Sequence, residues 1–149
     1  MIFANISFFV TAPAEAGFNT HTIVPVINGA ALTELVAAYE TDRAFEPAGG
    51  YGGLVLENLD YGPLDLYLTG QLAQDSYWAE LGGIYVLGCE CGEVDCWPLV
   101  CRVRADGANL SWEQFKQPHR AERDYSAFGP FVFEREQYRK AVTALLAAL

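Results

Sequence analysis

Apolar residues recur with a helical period at two places in the chain; elsewhere they gather in short runs that read as β-strands. Leu32, Leu35, Val36 and Tyr39 fall at i, i+3, i+4 and i+7, which predicts an amphipathic helix over residues 30–40 with Asn28 placed to cap it. Tyr138, Val142, Leu145 and Leu149 line one side of the alanine-rich segment 134–149, where Glu136 and Lys140 are spaced for an ion pair, so a terminal helix is expected there. Residues 2–11 read as a strand carrying Phe3, Phe8, Phe9 and Val10, followed by a loop of small residues and a second strand over 22–27. Pro25 lies inside that second strand and argues for an edge position or a bulge. Residues 54–59 and 64–69 read as strands joined by the turn Asp60-Tyr61-Gly62-Pro63. The clearest strand pair is 83–91 with 97–104, and Asp106-Gly107 then turns the chain into a third strand near 109–112. The glycine-rich stretch 47–53 reads as a loop, and its Gly-Gly-Tyr-Gly-Gly core has the spacing of neither common phosphate-binding motif. The expectation is a single α+β domain over residues 1–149: a mainly antiparallel sheet with an internal and a C-terminal helix packed on it.

Composition narrows the function classes. An apolar fraction of 52% and an aromatic fraction of 13% exclude a chain too polar to build a core. The net charge of −10 is unevenly spread: residues 1–101 carry thirteen acids and one base (−12), and residues 102–149 carry eight bases and six acids (+2). An acidic body repels phosphate backbones, so nucleic acid is not an expected partner, whereas a basic protein or a small ligand is. No run approaches the ~20 apolar residues of a membrane span. The apolar start of the chain lacks a basic leader and is interrupted by Asn5 and Ser7. Four cysteines without a secretory signal point to a reducing cytoplasm instead of a disulfide framework.

Three of those cysteines fall close together in Gly88-Cys89-Glu90-Cys91-Gly92-Glu93-Val94-Asp95-Cys96-Trp97-Pro98. If Gly92–Asp95 forms a four-residue hairpin loop, Cys91 stands opposite Cys96. Strand alternation then sends Cys89, Cys91 and Cys96 to the face of Tyr85, Leu87, Pro98 and Val100. Cys89 and Cys91 would have Cα atoms about 6.5–7 Å apart, with Cys96 about 4.5–5.5 Å across from Cys91. Three thiols so placed could share one Zn²⁺, with His119 as the better of the two histidines for a fourth ligand in a Cys₃His site. Cys101 would point away as a small apolar filler. The alternatives are buried thiols packing a tight turn, or a Cys91–Cys96 redox pair. The redox pair is weakened because Glu90, Glu93 and Asp95 should raise the thiol pKa values.

A second dense region runs from Trp112 to Phe133. Its plain reading is a long loop held down by Phe128, Phe131 and Phe133, with Arg120 or Arg123 paired to Asp124. Its functional reading is an aromatic-lined pocket built from Trp97, Trp112, His119, Arg120, Asp124 and Tyr125, in which His119 and Asp124 could form an acid–base pair. No Gly-x-Ser-x-Gly elbow and no paired-carboxylate signature occurs, which leans against an enzyme.

The combination of Leu87-Gly88-Cys89-Glu90-Cys91-Gly92-Glu93, Cys96-Trp97-Pro98-Leu99, Gln117-Pro118-His119-Arg120, Asp124-Tyr125-Ser126 and Phe128-Gly129-Pro130-Phe131-Val132-Phe133 resembles a family of small uncharacterised bacterial proteins. In that family an aromatic residue often precedes the Asp-Tyr-Ser step, where this chain has Arg123. The resemblance implies no particular activity. Charge and the absence of a catalytic signature lead to the expectation of a cytosolic interaction domain, of the kind that neutralises a basic protein. The alternative is a zinc-binding module, structural or hydrolytic, built on Cys89, Cys91, Cys96 and His119.

Overall fold

The computed structural model describes residues 2–59, 61–72 and 83–149. It is α+β with two largely antiparallel sheets. The first joins β1 (Ile6–Thr11), β2 (Thr22–Ile27) and β3 (Ala30–Ala31), with β5 (Leu54–Val55) also on β2. The second has the order β4-β6-β7-β8-β9, from Tyr51–Gly52, Gly83–Cys89, Leu99–Asp106, Asn109–Lys116 and Phe131–Glu134. Helix α1 (Pro13–Ala16) links β1 to β2, α2 (Leu32–Asp42) packs on β2, α3 (Leu64–Leu68) precedes β6, and α4 (Arg135–Ala147) lies on β1, β8 and β9. A parallel bridge between Ala4 and Phe133, closed by the Ala4 amide on the Val132 carbonyl at 2.8 Å, ties the two sheets together.

Several local readings change for identifiable reasons. Asn28 does not cap α2; Ala31 occupies that position. Asn28 and Gly29 instead form the two-residue loop between Ile27 and Ala30, both at positive φ (53° and 82°), as a primed hairpin turn requires. The Asn28 side chain accepts the Asn5 amide at 2.8 Å. Pro25 sits in an interior strand, but opposite the gap between the short pairings of β3 and β5, where no amide is needed. Residues 64–68 are helical, not extended. Leu64, Leu66 and Leu68 mimic strand alternation, yet Leu64, Tyr67 and Leu68 share a helical face, and Pro63 opens the turn by accepting the Tyr67 amide at 3.0 Å. Asp60, part of the expected turn before it, lies outside the described residues. Glu136 pairs with Arg139 at 2.5 Å, not with Lys140.

Strand β8 runs on to Lys116, well past the expected end, because it absorbs one extra residue. Val100 pairs with Lys116 and Arg102 with Glu113, so three steps on β8 face two on β7, and Gln114 takes up the slack at φ 54°. That bulge resets the alternation: Leu110, Trp112, Phe115 and Gln117 are all buried.

The core runs through both sheets, from Ile6, Ile23 and Val36 to Trp112, Phe133 and Tyr138. Several of its buried polar groups bond one another. The Trp112 indole donates to the Tyr138 hydroxyl (3.1 Å), which donates to the Leu68 carbonyl (2.5 Å). The Tyr67 hydroxyl both donates to the Tyr85 carbonyl (2.9 Å) and accepts the Tyr85 amide (2.6 Å), beside the irregularity in the β6–β7 ladder.

One charged cluster is buried with them. Glu40, at the end of α2, is fully enclosed. Its carboxylate accepts the Gly49 amide (2.8 Å), the Tyr51 hydroxyl (2.8 Å), the Tyr125 hydroxyl (2.5 Å) and the Arg123 guanidinium (3.1 Å). Arg123 therefore pairs with Glu40, eighty-three residues away, and not with its neighbour Asp124. Burial pushes the Tyr125 hydroxyl up from the ordinary 10.0 to about 12, and raises Tyr51 as well.

Two outcomes follow from this cluster. Glu40→Gln keeps the shape and removes the charge opposite a buried guanidinium, so it should destabilise the fold by about 3–5 kcal/mol in urea titration; a loss near zero would contradict the pairing. Raised tyrosine pKa values mean that the folded state favours the neutral phenol. Stability is therefore complete below pH 10 and lost as pH rises through about 12 for Tyr125. Tyr125→Phe should flatten that alkaline limb.

Candidate metal centre

The cysteine segment forms the tip of the β6–β7 connection. The ladder pairs Ile84 with Cys101 and Tyr85 with Val100, which keeps the expected grouping by face but is two residues out of the register a four-residue loop at 92–95 would set, and an irregularity then brings Leu87 opposite Leu99. Pairing stops there, so Cys91 and Cys96 are not opposed strand residues. The chain from Glu90 to Pro98 makes two tight turns instead. The Gly92 amide bonds the Cys89 carbonyl (3.0 Å), and the Cys96 amide bonds the Glu93 carbonyl (3.1 Å) across a 3₁₀ turn at Val94–Cys96.

These turns still bring the sulfurs together. The Sγ atoms of Cys89, Cys91 and Cys96 all lie within 4.8 Å of one another. Among the described residues, no other three Cys, His or carboxylate groups gather so closely. Cys89 is half-buried, while Cys91 and Cys96 are exposed. Cys101 is buried, and that burial holds its thiol well above the ordinary pKa, as expected of a filler.

The scaffold behind the thiols is specific. Cys89 pairs with Tyr51 of β4, and the Glu90 amide bonds the Gly50 carbonyl at 3.1 Å. Gly92 holds φ at 98°, and a Cβ there would stand 2.4 Å from the Phe18 ring, so only glycine fits this corner. Its carbonyl accepts the Asn58 amide group at 2.8 Å. On the far side the Trp97 indole donates to the Gly49 carbonyl (2.8 Å), and the Tyr85 hydroxyl donates to the Asp95 carboxylate.

His119 approaches the same tip from the loop after β8. Its Nε2 lies 2.5 Å from the Asp95 carbonyl, an acceptor, so this nitrogen carries the proton. Its amide is held by the Gln117 side chain at 3.0 Å, and Gln117 in turn donates to the Tyr51 hydroxyl at 3.2 Å. The histidine is thus wired to the buried Glu40 cluster and fixes the residue next to Cys96, but neither ring nitrogen belongs to the gathered ligand atoms.

The other expected pocket residues are split among three places. Trp112 is in the core. Trp97 lies under Arg120 (5.0 Å) and Arg123 (5.5 Å) beside the tip. Asp124 and Tyr125 line a shallow cavity of about 480 Å³ with Glu113, Lys116 and Phe128. Asp124 accepts the Ser126 amide at 2.8 Å, so its hydrogen bonds and those of His119 go to different partners. A larger cavity of about 740 Å³, which sequence patterning did not indicate, lies between α3 and α4, lined by Leu66, Tyr138, Val142 and Leu146.

No family model, no curated protein and no solved structure matches this chain.

The thiols differ in acidity. Burial pushes Cys89 up to about 11. Cys91 is lowered, chiefly because the Glu93 backbone amide donates to its sulfur and secondly through the Cys89 thiol. The Glu93 carboxylate does oppose this, as its charge leads one to expect, but it is the weaker influence. In the metal-free reduced protein near neutral pH, iodoacetamide should therefore modify Cys91 first and Cys89 and Cys101 last. Peptide mass mapping over time reads the order, and Cys89 leading would contradict it.

Proposed function

We propose that this protein binds a thiophilic divalent metal ion, Zn²⁺ by preference, through Cys89, Cys91 and Cys96. The convergence of three sulfurs to within 4.8 Å carries the reading. Two thiolates on one tetrahedral zinc at ~2.3 Å sit about 3.8 Å apart, so the cluster needs to close by no more than about 1 Å. Thiolate donors match the borderline softness of zinc and disfavour magnesium or calcium. The reading is binding, not hydrolysis: the three thiols are the gathered groups, no carboxylate or imidazole joins them, and Asp95 and the Nε2 of His119 are engaged in hydrogen bonds that shape the tip. The net charge of −10 also suits a basic partner, but charge alone names no site, whereas three gathered thiols do.

Reduced protein prepared without a histidine tag should bind one zinc per chain, measured by elemental analysis and by competition with a chromophoric chelator. Cys89→Ser, Cys91→Ser and Cys96→Ser should each weaken binding at least ~10-fold, while Cys101→Ala should not. Affinity should fall with acid, because protons compete for the thiolates. Clearly substoichiometric zinc in the reconstituted protein would sink the proposal.

A further inference from the structure

Resting on that metal reading, we infer that the centre has an open fourth coordination position, facing solvent, that takes a neutral nitrogen donor of the imidazole class from outside the chain. Zinc in thiolate sites completes four ligands, and sites with three protein donors keep the last position for water or an incoming group. Each nearby side chain that could fill it is already committed or set apart. The Nε2 of His119 is bonded to the Asp95 carbonyl at 2.5 Å, its amide to Gln117 at 3.0 Å, and its own carbonyl to Arg120 at 2.9 Å. With Nε2 as the donor, the ring's lone pair lies on Nδ1; that nitrogen is not among the gathered ligand atoms either, and turning the ring to bring it to the metal would break the Nε2 bond that holds the turn beside Cys96. Asp95 accepts the Tyr85 hydroxyl. No carboxylate oxygen of Glu90, Glu93 or Asp95 is among the gathered ligand atoms.

Exposure gives the direction of the opening. Cys89 is the inner ligand, on the paired end of β6, and Cys91 and Cys96 are the outer ones. A metal held by all three would be backed by Cys89 and approached from the side of the exposed pair. Charge gives the class of the incoming donor. Three thiolates on a divalent ion leave one net negative charge, and Glu90, Glu93 and Asp95 add to the negative field around it. A further thiolate or carboxylate is repelled there, whereas imidazole is neutral and a good zinc donor. The donor could be a free small molecule or a histidine on another polypeptide.

Cobalt(II) in place of zinc makes the fourth ligand visible. Co²⁺-loaded protein should show sulfur-to-metal charge-transfer absorption, and titration with free imidazole should shift its d–d bands saturably. Sodium acetate or N-acetylcysteine at the same concentrations should shift them far less. The His119→Gln variant loses the ring that holds the Asp95 carbonyl and should bind Co²⁺ more weakly, but once loaded it should still shift its d–d bands saturably with imidazole. The peptide Gly-His-Gly forms a second arm: saturation at lower concentration than imidazole favours a polypeptide source, and equal saturation favours a small molecule. If imidazole leaves the wild-type bands unchanged while His119→Gln becomes responsive, His119 is the fourth ligand and the open position is refuted, though the metal site survives. A response to the anionic probes equal to that to imidazole refutes the donor class. Absence of charge-transfer absorption altogether removes the metal reading itself.

Discussion

A buried carboxylate has to be satisfied on every lone pair or it works against the fold, since removing such a charge from water costs several kcal/mol. Glu40 receives four donors from two stretches of chain: Gly49 and Tyr51 at the entry to β4, the first on Oε1 and the second on Oε2, and Arg123 and Tyr125 from the loop after β8, both on Oε2. Apart from the two-residue pairing of β4 with β6, neither stretch has regular structure to hold it in place. The ion pair, with the guanidinium also bonded to the Pro47 carbonyl at 2.7 Å and packed over Phe45 and Trp97, is what gives both loops one conformation. Charge-assisted hydrogen bonds of this kind are shorter and about twice as strong as neutral ones. Their geometry also excludes other registers between the two loops.

The thiol cluster inherits its order from that constraint. Tyr51 has two roles: its hydroxyl binds Glu40 and receives the Gln117 amide, and its backbone pairs with Cys89. From Gln117 the chain of contacts passes to the His119 amide, and from the His119 ring to the Asp95 carbonyl beside Cys96. Cys89 and Cys96 are thereby positioned from opposite sides of the tip by branches of one network. Cys91, between them, is set by the glycine corner at Gly92 and the wedge of Phe18 behind it.

How much of this could be read from the residues alone depends on the range of the interaction. The terminal helix, the helix carrying Val36 and the strand pair on either side of the cysteines all rest on local periodicity, and they appear within a few residues of their expected bounds. Elements failed where a short run satisfied two periods at once, as at Leu64, Leu66 and Leu68, or where a single residue shifted phase, as at Gln114. The gathering of Cys89, Cys91 and Cys96 was legible from spacing, although the route to it was not: alternation across a hairpin suggested it and two tight turns achieve it. The pairing of Glu40 with Arg123 was beyond local reading. Only a glutamate closing an apolar helix face, and an arginine embedded among aromatics, hinted that each needed a buried partner.

Preorganisation decides what such a tip can do. Where hydrogen bonds of the fold itself set the turns that carry the three thiols, part of the ordering entropy, about 1–2 kcal/mol per residue of fixed backbone, is met by folding and not by binding. The same hydrogen bonds that order the tip also occupy its polar side chains, so the rigidity that gathers the sulfurs withholds His119 and Asp95 from them. On the proposed reading, a three-sulfur face with its neighbours engaged in this way is better suited to receive a ligand from outside than to close around a metal with a fourth side chain of its own.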